Sequence, residues 1–406
     1  EFALGGLYER MRSAFDAIHA PLERIRNAAT ALMESGERTI IEADGDLEAW
    51  YENPEYQRAW RTAANALYYL NWLRYYGARL QSGAARTRLL EQARDGFTEF
   101  AAGDPQSELA GESLLGRGLC ALELGELGAA VEDLAAVAKA PNTSAERRHK
   151  ARLSLLEAYV RAGNTAAALR QSDELLRDAK PDEANWVRFL RLRALLDALK
   201  KKGAADAPQQ RVEAIALMES LRRAGGAWAQ QVDALAQEAF ADPAAWKASA
   251  TTPFARWELA KLLMKEEDYA GATPLLEAIV ASDDKAVAAY RPRARYFLAL
   301  ARFDAGDYAA AAALLSDPSD PTVRSVGSDG SKSSDRADGL EKQEAADAAY
   351  LLFKAREQLA AAAGADADLA PLEAAARVFV ERFPDHPSAF EARYRLGELH
   401  QLRGDY

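Results

Sequence analysis

The sequence predicts an all-α chain, an α-solenoid of stacked helix-turn-helix repeats, and three observations carry that expectation. Good helix formers, Ala, Leu, Glu and Arg, are abundant in its 406 residues. Long β-branched runs, the mark of strands, are nearly absent. One pattern recurs: "RGLCALELGELGAAVEDL", "LEAYVRAGNTAAALRQSD", "LAKLLMKEEDYAGATPLLEAIV" and "LALARFDAGDYAAAAALL". Each is an apolar helix, a turn, and a second helix that opens with small residues. Gly125 to Gly163 is 38 residues and Glu267 to Gly306 is 39. Two helices of about 14 residues plus two turns make a unit in the mid-thirties.

Each part of the pattern has a physical role. The turns align Gly125, Gly163, Glu267, Gly306 and Gly404, where glycine can take the left-handed conformation that ends a helix. Small residues follow at Ala130, Ala168, Ala272 and Ala311, letting two helix backbones approach. Tyr269, Tyr308 and Tyr406 stand where a ring can plug the corner between helices. One hairpin cannot bury its apolar face alone, so neighbours must stack.

Along the chain, 1–102 reads as an N-terminal helical region. Within it, two helices break near Pro21 and a long helix starts at Asn53-Pro54, with Pro in the first turn. Repeats fill 103–224, an irregular helical segment 225–252, and repeats again 253–316. A Ser/Asp/Gly-rich stretch over 316–339 has almost no apolar anchors. It reads as a flexible surface loop over 317–339, with partner contact as the alternative. Repeats resume over 340–406.

The C-terminal stretch "FVERFPDHPSAFEARYRLGELHQLRGDY" carries Phe379, Phe383-Pro384, Asp385, Pro387, Ala389, Ala392, Tyr394, Leu396-Gly397-Glu398 and Gly404-Asp405-Tyr406. These resemble the tetratricopeptide repeat of bacterial cell-envelope proteins. The families in question are the Tol–Pal-associated periplasmic coordinator and the outer-membrane-assembly lipoprotein. The resemblance covers one repeat closely and about half the chain loosely. It implies a right-handed superhelix with a concave face lined by the first helix of each pair. The inward positions it implies are Leu115, Leu119 and Leu122; Leu153, Glu157 and Arg161; Trp257, Lys261 and Met264; Tyr296, Leu300 and Phe303; and Tyr394 and Glu398. Such a mixed apolar and charged surface suits an extended peptide or a partner helix, and ordinary packing between repeats is the competing reading of each position. The pattern also calls for a second helix after Tyr406, so the array is expected to continue.

A net charge of −11 argues against a general nucleic-acid binder, which needs a basic stripe. A single cysteine, Cys120, excludes an intramolecular disulfide and reads as a buried, inert thiol. No apolar run approaches a membrane span.

Several local patterns have a sharp and a plain reading. Asp44, Asp46, Glu48, Glu52 and Glu55 fall at positions of a calcium-loop spacing. However, Ala49 replaces the turn glycine and Tyr51 an aliphatic residue, so acid clustering at a helix N-terminus is the plainer account. Tyr68, Trp72, Tyr75 and Tyr76 share nearly one helical face. They are able to hold a glycan or a peptide, or simply to pack between helices. His19, His149, His386 and His400 show no helical zinc spacing. Basic runs at 147–152 and 199–203 read as solvated faces, and Asn142-Thr143-Ser144 as an N-cap. There is no phosphate loop, nucleophile elbow or zinc-protease motif.

The expectation is therefore a non-enzymatic scaffold or adaptor without cofactor or metal. It would bind protein partners through a groove or the repeat edges, as an oligomer or within a larger complex. The compartment expected is the periplasm of a Gram-negative envelope, with the cytoplasm as alternative. The rival role is an accessory or sensor arm of a larger membrane-anchored machine.

Overall fold

The computed structural model describes residues 2–101, 108–141, 143–202, 208–283, 287–288, 290–316, 342–364 and 367–403. The 317–339 stretch, Asn142 and Gly404-Asp405-Tyr406 lie outside the described residues. Two units divide the chain, Glu1–Ala198 and Leu199–Tyr406.

The first unit contains α1 (Phe2–Glu42), α2 (Leu47–Glu52), α3 (Pro54–Ala78), α4 (Gly83–Ala101), α5 (Glu108–Leu124), α6 (Leu127–Lys139), α7 (Ala145–Arg161) and α8 (Thr165–Leu176). The boundary falls inside α9 (Pro181–Lys202). The second contains α10 (Pro208–Ala224), α11 (Gly226–Ala239), α12 (Pro243–Trp246), α13 (Pro253–Lys265), α14 (Tyr269–Val280), α15 (Arg291–Asp304), α16 (Tyr308–Leu315), α17 (Lys342–Ala363), α18 (Ala370–Arg382) and α19 (Ala389–Arg403). Among the described residues no strand is present. From α3 onward in the first unit and from α13 onward in the second, most helices pack on the next in sequence. Pairs two apart also touch, as α3 with α5, α5 with α7 and α13 with α15. That sequential packing makes an all-α solenoid.

The turns follow the residue pattern closely. Gly125, Gly163 and Gly306 have φ of 83°, 68° and 78°, and Glu267 takes the same left-handed conformation at 61°. Each turn closes with the same two backbone bonds. At Gly125 they are Gly125 N to Leu122 O at 3.2 Å and Glu126 N to Ala121 O at 2.9 Å. At Glu267 they are Glu267 N to Met264 O at 3.2 Å and Asp268 N to Leu263 O at 2.9 Å. This is the Schellman arrangement, which satisfies carbonyls left open at a helix end. The next residue then caps the following helix. Asn164, Asp268 and Asp307 accept from the N–H groups of Ala167, Gly271 and Ala310. Ala130, Ala168, Ala272 and Ala311 are all fully buried at the helix crossings.

One expectation fails. The chain does not break at Pro21, because α1 runs unbroken from Phe2 to Glu42 with Pro21 inside it. An interior proline costs roughly 3 kcal/mol, and packing on both sides of it outweighs that. The Phe15 ring lies on Gly77 of α3, and Trp50 of α2 lies on Gly36. The 225–252 segment forms α11, α12 and a short 3-10 turn at Lys247–Ser249.

The C-terminal motif residues Phe379, Phe383 and Ala392 form a core with Phe353, Leu372 and Leu399. Cys120 is fully buried, and burial pushes its thiol up to about 12, which leaves it protonated and inert.

Candidate functional site

A groove of about 660 Å³ lies in the first unit. Three alternate helices build it. From α3 come Tyr68, Tyr69, Trp72 and Tyr76, from α5 Leu115, and from the start of α7 Ser144, Glu146, Arg147 and Lys150. The N-terminus of α7 is set by Ser144, whose hydroxyl accepts from Arg147 N at 3.3 Å, so the cap foreseen in the Asn142-Thr143-Ser144 stretch falls on Ser144. That cap puts the 147–152 run beside the rings of α3.

The groove is an aromatic floor with a cation over it. Trp72 and Tyr76 stack at 6.0 Å and 26°. Lys150 Nζ sits 5.6 Å from the Trp72 ring centre and 6.0 Å from that of Tyr76, within range of a cation–π attraction. Tyr69 and Tyr76 are 60% and 49% exposed. Among the described residues no carboxylate pairs with Lys150, although Glu146 lines the same groove. Arg147 is held by Glu112. The fourth ring of the predicted face, Tyr75, points inward: it is 5% exposed, and burial pushes its phenol up to about 12.

The second unit has a matching stack with the opposite fate. Trp257 lies flat on Tyr290 at 5.8 Å and on Phe297 at 5.6 Å, with Lys261 Nζ at 5.8 Å. Trp257 is 3% exposed, and Glu258, itself 5% exposed, pairs with Lys261 at 2.7 Å. Arg222 completes the cluster, donating to Tyr290 Oη at 3.0 Å and pairing with Asp233. This cluster ties α10, α11 and α13 together and leaves its tryptophan buried.

The fourteen predicted groove positions therefore divide. Leu115, Leu119, Leu122 and Trp257 are buried in the core, and of these only Leu115 reaches the groove. Leu153 packs on the core formed by α7, α8 and α9. Tyr296, Leu300 and Phe303 pack with α16 and α17, and burial pushes the Tyr296 phenol up to about 12. Met264 is half-buried. Glu157 and Arg161 face each other at 3.9 Å, and burial holds the Glu157 carboxyl above its ordinary value. Tyr394 is 62% exposed, and Glu398 pairs with Arg395. Lys261 is spent on Glu258. Tyr69, Lys150, Arg222 and Tyr290 went unnoticed as site residues. Tyr69 had a signal in its place three and seven residues before Trp72 and Tyr76 on one helical face, and Lys150 in the basic 147–152 run, read as a solvated face.

The acidic 44–55 stretch is used locally. Asp44 ends α1 at φ 54°, Asp46 caps α2 by accepting from Glu48 N at 2.9 Å, and Asn53 caps α3. Among the described residues no three potential metal ligands converge. His149 pairs with Glu183 at 2.9 Å and His386 with Asp347 at 3.3 Å. His19 lies tilted against Phe15 at 5.2 Å, and burial lowers its pKa. Of the 199–203 run, Lys200 pairs with Glu238. No helix among the described residues is long and apolar enough to cross a membrane.

No known protein-family model matches the chain, and no curated protein matches it. A solved structure described as a circular tandem repeat protein with novel repeat topology and enhanced subunit contact surfaces is similar at 17% identity. It covers 95% of this chain and 100% of its own, at a TM-score of 0.20. A likeness at that level carries no argument about shape or role.

Proposed function

We propose that the chain is a non-enzymatic scaffold that binds a segment of a partner protein in the groove across α3, α5 and α7. The observation that supports this reading is the Lys150 ammonium over Trp72 and Tyr76, open to solvent and without a carboxylate of its own among the described residues. An extended segment carrying an apolar or aromatic side chain beside a carboxylate matches it, ring on ring and acid on ammonium. Grooves spanning successive helices of a repeat array suit extended peptides, because each repeat adds contacts along one line. We further propose the tetratricopeptide class and a bacterial cell-envelope setting, which rest on the resemblance of the 379–398 motif alone.

The test is site-specific photo-crosslinking in the native host. A photoreactive residue at Tyr69 or Tyr76 should give a discrete adduct with another protein. The same residue at exposed Val212 should not. Adducts absent at both groove positions, or equal at Val212, would remove the groove as a partner site. Fractionation of the same cells reads the compartment.

A further inference from the structure

The long first helix has a second face that its own unit does not cover. Met11, Ile18, Ile25 and Leu32 are each seven residues apart and 50%, 50%, 47% and 45% exposed. They form an apolar stripe about 32 Å long, which winds slowly round the helix because seven residues fall about 20° short of two full turns. Three residues after each fall Ala14, Ala28 and Ser35, all exposed, and the half-buried Pro21. A seven-residue repeat with apolar residues at one position and small ones at the next contact position is the pattern that seats a second helix closely. Scattered surface apolar residues need no explanation, but four at one strict interval do.

We infer that this stripe docks an amphipathic helix of a partner, and that the flanks of that helix are acidic. One edge of the stripe is closed, because Phe15 there packs on Gly77 of α3 and Ala29 is buried. The other edge carries Arg24 and Arg38, two heptads apart and exposed. Arg24 donates only to the Ala20 carbonyl at 3.5 Å, and among the described residues neither guanidinium pairs with a carboxylate. Charges at this edge position select the partner in helix pairs. A second copy of the chain fits poorly. An antiparallel pairing sets arginine edge against arginine edge, and a parallel one puts the arginine edge where α3 lies. An acidic edge meets both arginines.

The probe is a synthetic amphipathic helix of about four heptads, with Leu and Ala on the contact face and Glu on the flanks. A twin carries Lys in place of Glu. Binding to the full chain is read by fluorescence anisotropy. The Glu helix should bind at least about 10-fold tighter than the Lys twin. Ile18→Glu with Ile25→Glu should abolish binding, with helicity unchanged because both residues are exposed. Arg24→Glu with Arg38→Glu should reverse the preference, and gain of the Lys twin cannot come from unfolding. Equal binding of both helices, or none at about 100 μM, overturns the inference. So does loss of the wild-type monomer in sedimentation through this face, which would make a second copy the occupant. Stripe-dependent binding to phosphatidylglycerol vesicles without binding of the Glu helix assigns the face to a membrane surface and overturns it as well.

Discussion

Among the described residues two lysines lie over two tryptophans, and the pairs behave oppositely. Lys261 over Trp257 is closed: the tryptophan is 3% exposed and stacked with two further rings, and the ammonium pairs with Glu258. Lys150 over Trp72 is open: Tyr76 beside it is half exposed, and no carboxylate among the described residues answers the charge. The same local contact serves cohesion in one unit and offers a surface in the other. What separates them is whether a neighbouring helix brings an acid and a second ring. A cation–π pair thus says little about function until its remaining partners are known.

The contrast can be broken most sharply by truncating the rings. Trp257→Ala should cost about 4 kcal/mol, while Tyr76→Ala should cost under about 1 kcal/mol, both read by denaturant titration. Similar losses would mean that the two stacks are not closed and open as described. Next comes the acid. Glu258→Ala removes the buried partner of the partly exposed Lys261, while Arg222 keeps Asp233, and should cost about 1.5 kcal/mol. A neutral result would show that water already screens the cluster.

A smaller effect is expected at Glu267, where a described repeat turn lacks glycine. Glu267→Gly relieves a left-handed strain of roughly 1–2 kcal/mol against glycine's entropy of roughly 0.5–1 kcal/mol. A net gain of about 0.5–1 kcal/mol in thermal stability should follow. The smallest change in stability belongs to Lys150→Ala, within about 0.5 kcal/mol, although that variant should lose affinity for an acidic, aromatic-containing peptide. Marked destabilisation by it would make the open stack structural.

Local residue patterns foretold much of the solenoid. Gly125, Gly163 and Gly306 take the left-handed conformation that their place between helices required, and Ala130, Ala168, Ala272 and Ala311 lie fully buried where small residues were needed. Such features are readable because they depend on a few neighbouring residues and on backbone sterics. Pro21 was misread for the complementary reason. Its cost is local, but the packing that overrides it comes from α2 and α3, tens of residues away.

The chain's own sequence therefore determined the all-α class, the hairpin turns and the small-residue crossings, and it set Met11, Ile18, Ile25 and Leu32 at their seven-residue interval. Only the tertiary structure decided which rings face water, that Tyr75 turns inward while Tyr76 does not, that Glu258 meets Lys261 and Arg222, and that the α1 stripe is left uncovered. The reason is physical. Helix periodicity places side chains on faces, but burial and charge pairing depend on which other helices arrive at those faces, and that is a property of the packed chain.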